Sequence, residues 1–118
     1  MTIKSGADLI EEAKAKIREV SPKETMADTS PDLVLLDVRE RNEWNLGHLP
    51  NAIHIPRGSM ETKVEALIPR DKHVIIYCQS GNRSAFAADT LQQMGYEDVA
   101  SMSRGIRGWV DDGGEVES

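Results

Sequence analysis

His73-Val74-Ile75-Ile76-Tyr77-Cys78-Gln79-Ser80-Gly81-Asn82-Arg83-Ser84 is the stretch that decides the fold. Residues 73–77 form an unbroken, β-branched apolar run, the pattern of a strand covered on both faces in a parallel sheet. From Ser84 to Met94 the apolar residues recur at helical spacing, with Ala87, Ala88, Leu91 and Met94 on one stripe and Gly95 at the expected C-cap. Cys78 to Arg83 is left as a tight loop between the two. In an open α/β sheet, ligands bind at the carboxyl ends of the strands, and Cys78 stands at such an end.

The rest of the chain repeats the alternation. Residues 5–17 read as an amphipathic helix with Ala7, Ile10, Ala13 and Ile17 on one face and Ser5 or Asp8 as its cap. Arg18–Val20 reads as a short edge strand, and Ser21-Pro22 opens a short helix to about Ala27. Leu33–Leu36, ending in Asp37, is a second buried strand. Glu40–Leu46 is a helix stopped by Gly47, Ala52–Ile55 a short strand ended by Pro56, and 59–67 a helix with Met60, Val64 and Leu67 as its stripe. Val99–Met102 is a last strand and Arg104–Val110 a last helix. Strands alternating with helices imply a parallel α/β sheet with helices on both faces.

The chain has 118 residues, the size of one domain with one core. We expect residues 1–19 to be an N-terminal helical extension, 20–110 the core, and 111–118 a polar tail that frays. A net charge of −6 opposes non-specific nucleic-acid binding. The longest apolar runs, Leu33–Leu36 and Val74–Cys78, are too short to span a bilayer. The one cysteine excludes an internal disulfide and fits a reducing compartment. A cytoplasmic location, with no membrane and no nucleic-acid partner, is the expectation.

The loop after Cys78 carries the chemistry. Gly81 and Asn82 tolerate the left-handed backbone of a curled loop, which turns successive N–H groups inward as an anion nest. A helix starting near Ser84 adds its positive end, and Arg83 adds a charge. Such settings lower a cysteine pKa from about 8.5 to roughly 3.5–7.5. The opposing reading is a buried cysteine serving as a small apolar residue; the Gly-Asn-Arg order after Cys78 argues against it.

Cys78-Gln79-Ser80-Gly81-Asn82-Arg83-Ser84 resembles the active-site loop of rhodanese-like sulfurtransferases. Asp37-Val38-Arg39-Glu40 with Glu43-Trp44 resembles that family's first signature. Gly47-His48-Leu49-Pro50-Asn51-Ala52 followed by Ile55-Pro56 resembles its second. Gly105-Ile106-Arg107-Gly108-Trp109 resembles its C-terminal segment, with Arg104-Gly105 where two glycines are usual. The resemblance runs in order from about Val20 to Trp109. It implies a five-stranded parallel sheet flanked by helices, and a reaction in which Cys78 takes a sulfur from a donor such as thiosulfate, becomes a persulfide, and passes the sulfur to a thiol or cyanide. Gln79, Ser80, Gly81, Asn82 and Arg83 would line the persulfide loop. Expected partners are a small sulfur donor and a thiol acceptor, with a protein persulfide carrier conceivable.

Other residues invite roles that the residues themselves do not require. The resemblance suggests structural parts for Asp37 and Arg39, with Glu43 as a partner of Arg39. His48, in a Gly-His-Leu-Pro turn, reads as a hydrogen-bonded structural histidine, His54 as facing away from Ile53 and Ile55, and His73 as near the surface. No pair of histidines has ligand spacing, so no metal and no cofactor are expected. Trp44 and Trp109 read as packing anchors. Two rivals remain: a Cys–Arg loop phosphatase or arsenate reductase, which places five residues between cysteine and arginine where this chain has four, and a non-catalytic binding module, which commonly lacks the cysteine.

Overall fold

The computed structural model describes residues 2–118. Its strands are β1 (Arg18–Val20), β2 (Leu33–Asp37), β3 (Ile53–His54), β4 (His73–Tyr77) and β5 (Val99–Met102), all parallel, in the order β1-β5-β4-β2-β3. The helices are α1 (Gly6–Ala15), α2 (Pro22–Ala27), α3 (Arg41–Leu46), α4 (Met60–Leu67), α5 (Asn82–Gln93) and α6 (Gly105–Asp111). The expected five-stranded α/β sheet is thus the observed one.

β4 sits at the centre, and its alternation splits the interior in two. Val74, Ile76 and Cys78 face a core closed by Met60 and Val64 of α4 and by Ala87, Ala88 and Leu91 of α5. Ile75 and Tyr77 face a second core closed by Leu49 and by Ile106 and Trp109 of α6. Small alanines on α5 let that helix lie close to the sheet, which draws its N-terminus to the end of β4. On the first face α1 packs on α5; on the second α2 packs on α6. Helices therefore cover both faces.

Local chemistry sets the helix starts. Ser5 Oγ accepts the Asp8 N–H at 3.1 Å while Asp8 accepts the Ser5 N–H at 2.9 Å, so the two residues proposed as alternative caps form one capping box. Ser21 and Glu24 repeat the arrangement ahead of α2, with Pro22 at the first helical position. The N-terminal segment is tied to the sheet and to α5: β1 pairs with β5, and Gln92 of α5 donates to the Lys16 carbonyl at 3.0 Å.

The expected fraying of 111–118 is not observed. Trp109 Nε1 donates to the Glu115 carbonyl at 2.8 Å, and His48 and Glu117 exchange backbone hydrogen bonds at 2.8 and 2.9 Å. The tail folds back because Trp109 offers a buried ring with one donor that must be satisfied, a pull that hydropathy alone does not register. Among the described residues, no helix is long and apolar enough to cross a membrane.

Candidate active site

Cys78 comes directly after β4, and Gly81, at φ +105, turns the loop into α5. The helix starts two residues earlier than expected, so Asn82 and Arg83 belong to its first turn rather than to the loop. Glycine is needed here for its backbone: the left-handed φ is easy only without a Cβ, and an added one would also stand 3.2 Å from the Arg104 nitrogen. Curling this tightly brings the Gly81 N–H to 3.1 Å from Cys78 Sγ.

A second element holds the loop from behind. Ile106 donates its N–H to the Cys78 carbonyl at 2.9 Å, and Arg107 donates to the Gln79 carbonyl at 3.3 Å. The carbonyls of the loop are thereby occupied by α6, and its N–H groups are left for the sulfur. This close approach requires Gly105, where a Cβ would fall 2.4 Å from the Cys78 carbonyl oxygen. Arg104, the departure from the usual glycine pair, takes φ +61, a conformation uncommon for a residue with a side chain; its guanidinium pairs with Asp112.

The sulfur is almost wholly buried, at 1% exposure for the residue. Burial alone pushes the thiol pKa up, but the Ser84 hydroxyl and the N–H groups of Ser84, Gly81 and Ser80 outweigh it, so the pKa lies below the ordinary thiol value. Arg83 does not supply a free charge. Its guanidinium makes two bonds to the Glu43 carboxylate, at 2.7 and 2.9 Å, and Glu43 is held down to about 2, chiefly by that contact. This corrects the pairing of Glu43 with Arg39. Arg39 instead binds Asp37, with Nη2 to Oδ2 at 2.7 Å, and donates to the Gly47 carbonyl at 2.7 Å. Both members of that ion pair are buried, and Arg39 Nε and Nη2 are both engaged by these partners.

The histidines lie beside this frame. His48 Nδ1 is 3.1 Å from the Leu49 carbonyl, and its ring stacks on Trp44 with centroids 3.6 Å apart. His54 Nε2 is 2.7 Å from the Arg39 carbonyl, and its ring also stacks on Trp44, at 4.9 Å. Trp44 is therefore an anchor for two histidines. His73 lies at the far end of β4, between Asp28 at 2.6 Å and Asp98 at 3.0 Å. Among the described residues, no group of three or more potential metal ligands converges.

Beside the loop lies a cleft of about 410 Å³, whose walls include Leu46, Gln79, Ile106, Arg107, Val110 and Val116. The docked tail forms one wall through Val116. Two side chains in the site's interior were given no role from the sequence: Ser84, which closes the loop motif and reads as a helix start, and Ser101. The signal for Ser101 was a lone hydroxyl in Val99–Met102, a strand buried along its whole length.

The family model for the rhodanese-like domain matches residues 21–112. The chain belongs to this family. It is 36% identical to a sulfurtransferase of Allochromatium vinosum, over 83% of this chain and 90% of that protein. It is 33% identical, over 92% of its length, to YrkF of Bacillus subtilis (strain 168), a candidate sulfur carrier protein of which it spans 59%. Among solved structures, a protein of unknown function from Rhodopseudomonas palustris CGA009, described as a possible tyrosine phosphatase, superposes with a TM-score of 0.87 at 31% identity, over 99% of this chain and 98% of that one. The rhodanese-like domain thus accounts for four of the five strands and for α2 to α6; α1 and β1 lie before the matched residues.

Proposed function

We propose that this rhodanese-like protein is a sulfurtransferase whose nucleophile is Cys78, with Gln79, Ser80, Gly81, Asn82 and Arg83 as the segment that encloses the transferred sulfur. The observation that carries the reading is the Gly81 N–H at 3.1 Å from a buried sulfur whose pKa is lowered by neutral donors. The Cys78 thiolate attacks the outer sulfur of a donor such as thiosulfate. The donor's S–S bond breaks, sulfite leaves with the electron pair, and Cys78 carries a persulfide. A thiolate or cyanide then attacks the outer sulfur and expels the Cys78 thiolate, which closes the cycle. The same N–H groups that hold the thiolate stabilise the persulfide anion and the leaving thiolate, because they point at fixed positions in a water-poor site.

The relatives named for sulfur transfer and sulfur carriage support this reading, as does a cleft lined by Gln79, the residue next to Cys78. The acceptor is a small thiol or a protein persulfide carrier. A reducing, cytoplasmic setting suits a lone reactive thiol. Asp37, Arg39 and His48 act as supports: Asp37 holds Arg39, Arg39 donates to the Gly47 carbonyl beside His48, and His48 Nδ1 lies against the neighbouring Leu49 carbonyl.

The resemblance to a protein described as a possible tyrosine phosphatase gives the Cys–Arg phosphatase reading its one support. Two features weigh against it. Four residues separate Cys78 from Arg83, and Glu43 holds the arginine whose fork an oxyanion would need. Intact mass after incubation with thiosulfate or polysulfide decides: a gain of one sulfur atom on the wild-type chain, absent from Cys78→Ser, is expected. Ready hydrolysis of an aryl phosphate with no sulfur gained from any donor would replace this reading with the phosphatase one. Neither activity would leave a binding module.

A further inference from the structure

Behind Cys78 runs a line of buried hydroxyls that the sulfur-transfer cycle does not use. Cys78 Sγ lies 3.5 Å from Ser84 Oγ, and Ser84 Oγ lies 2.8 Å from Ser101 Oγ. Ser84 comes from the first turn of α5 and Ser101 from β5, and both residues are 0% exposed. Among the described residues, Ser84 is the one side-chain partner of the Ser101 hydroxyl. We propose that Ser101 is a positioning residue for the nucleophile: its hydroxyl donates to Ser84 Oγ and thereby commits the Ser84 proton to the Cys78 thiolate. The proposal rests on Cys78 as the reactive group of this site.

Counting protons gives the reason. Three atoms in line, Sγ, Oγ and Oγ, make two contacts. With Cys78 ionised, the line holds two protons, and each fills one contact when both hydroxyls point toward the sulfur. With Cys78 as a thiol there are three protons for the same two contacts, so one donor in the line goes without an acceptor there, at a free-energy cost. Ser101 adds direction and strength. A Ser84 oxygen that already accepts from Ser101 has its own proton to give, and the donation polarises that proton toward the sulfur. Without Ser101, the Ser84 hydroxyl is free to turn to a backbone carbonyl one helical turn back, the common alternative for serine in a helix.

No charge competes with this account from the strand that carries Ser101, since Val99–Met102 has no ionisable side chain. The charged groups on the other elements around the loop are Arg83 with Glu43 and nearby Glu40, Arg39 with Asp37, Arg104 with Asp112, and Arg107 and Asp111 of α6. All of them persist when Ser101 is changed, so a shift in the titration of Cys78 reports the hydroxyl line.

The test is the alkylation rate of Cys78 by iodoacetamide as a function of pH, on the full chain, with thermal melting as the control for folding. Ser101→Ala is expected to move the inflection up by about half a pH unit, which leaves roughly threefold less thiolate at lower pH. Ser101→Thr, which keeps the hydroxyl, is expected to titrate like the wild type, and its isostere Ser101→Val like the alanine variant. In a Ser84→Ala background, Ser101→Ala is expected to add nothing further. Thr and Val variants that titrate alike would overturn the proposal, as would a Ser101→Ala shift of the same size with and without Ser84. Alkylation reads the thiolate alone. If no donor ever adds a sulfur to the wild type, the sulfurtransferase reading falls while the titration still judges Ser101.

Discussion

The two ends of β4 hold charge in opposite ways. At its start, His73 lies between Asp28 and Asp98, and Arg18 reaches the same Asp98 at 3.4 Å. At its far end, Cys78 meets N–H groups and a hydroxyl, and the nearest arginine of its loop is tied to Glu43. A histidine clamped between carboxylates is spent on structure, because both of its ring nitrogens are engaged by fixed carboxylate partners. A thiolate held by dipoles keeps its electron pair available, because a hydrogen-bond donor stabilises the anion without engaging it as a counter-ion. The strand is the same; the difference lies in what its neighbours bring to each end.

Removing the sulfur tests this contrast most severely. Cys78→Ser should keep the circular-dichroism spectrum of the wild type and lose thiosulfate-to-cyanide transfer down to background; turnover near the wild-type level would end the nucleophile assignment. Next in size is Gly105→Ala. Its Cβ would meet the Cys78 carbonyl oxygen at 2.4 Å and the Gln79 carbonyl carbon at 2.5 Å, both backbone atoms, in a left-handed conformation. We expect a loss of about 2–4 kcal/mol in denaturant unfolding, from overpacking and strain together. A change under about 0.5 kcal/mol, the size expected of an ordinary surface substitution, would mean that α6 does not set the shape of the loop.

The third expectation concerns the cysteine end alone. Alkylation of wild-type Cys78 should show an inflection below about 8.5, the free-cysteine value. It should move little with salt, since buried dipoles rather than exposed charges set it. An inflection at or above the free value would remove the distinction between the two ends.

The smallest effect belongs to His73. Burial lowers its pKa, but the hydrogen bonds to Asp28 and Asp98 outweigh that, so the folded value lies above the ordinary one. A raised folded pKa means that the clamp stabilises fully below about 6.5, the unfolded value, and loses this contribution as pH rises through the folded value. Asp28 runs the other way: it is lowered to about 2, first by the Ser30 hydrogen bonds and then by His73. Its contribution is therefore present above the unfolded value of about 3.9 and fades as pH falls toward 2. Equilibrium unfolding should show a plateau between these limits and a decline of about 1 kcal/mol or less above it, as befits a partly exposed pair. His73→Asn should flatten that decline, and so should added salt. An unchanged decline in the variant would assign it to other groups.

Much of this was legible in the sequence for a definite reason. The runs Leu33–Leu36 and His73–Tyr77 have no polar face, so they fit only a sheet covered on both sides, and the helical periodicity from Ser84 to Met94 fixes a helix beyond the cysteine loop. Cys78 and its nest could be read because the conformations involved are local: Gly81 adopts the positive φ that its loop position suggested. Apart from the start of α5, which lies two residues earlier than the spacing suggested, the misread features are contacts between distant segments. Glu43 turns to Arg83 across 40 positions rather than to Arg39 across four, and the tail docks on His48 instead of fraying. Charge type and spacing name candidate partners, but α3 and α5 meet only once the sheet has ordered them, and the shorter separation in sequence is then no longer the shorter one in space.

Chain-local physics, written in the order of residues, is enough for the alternation of strands and helices, for the placement of Cys78 at the carboxyl end of the strongest strand, and for a loop able to turn its N–H groups inward. Which charges remain free beside the sulfur is a matter of packing. Glu43 takes Arg83, Asp37 takes Arg39, α6 takes the carbonyls of Cys78 and Gln79, and β5 brings Ser101 to Ser84. Apart from the local Asp37–Arg39 pair, each of these joins residues from separate elements. Hydrogen bonds and ion pairs act over a few ångströms, and only the folded chain fixes distances on that scale between such segments.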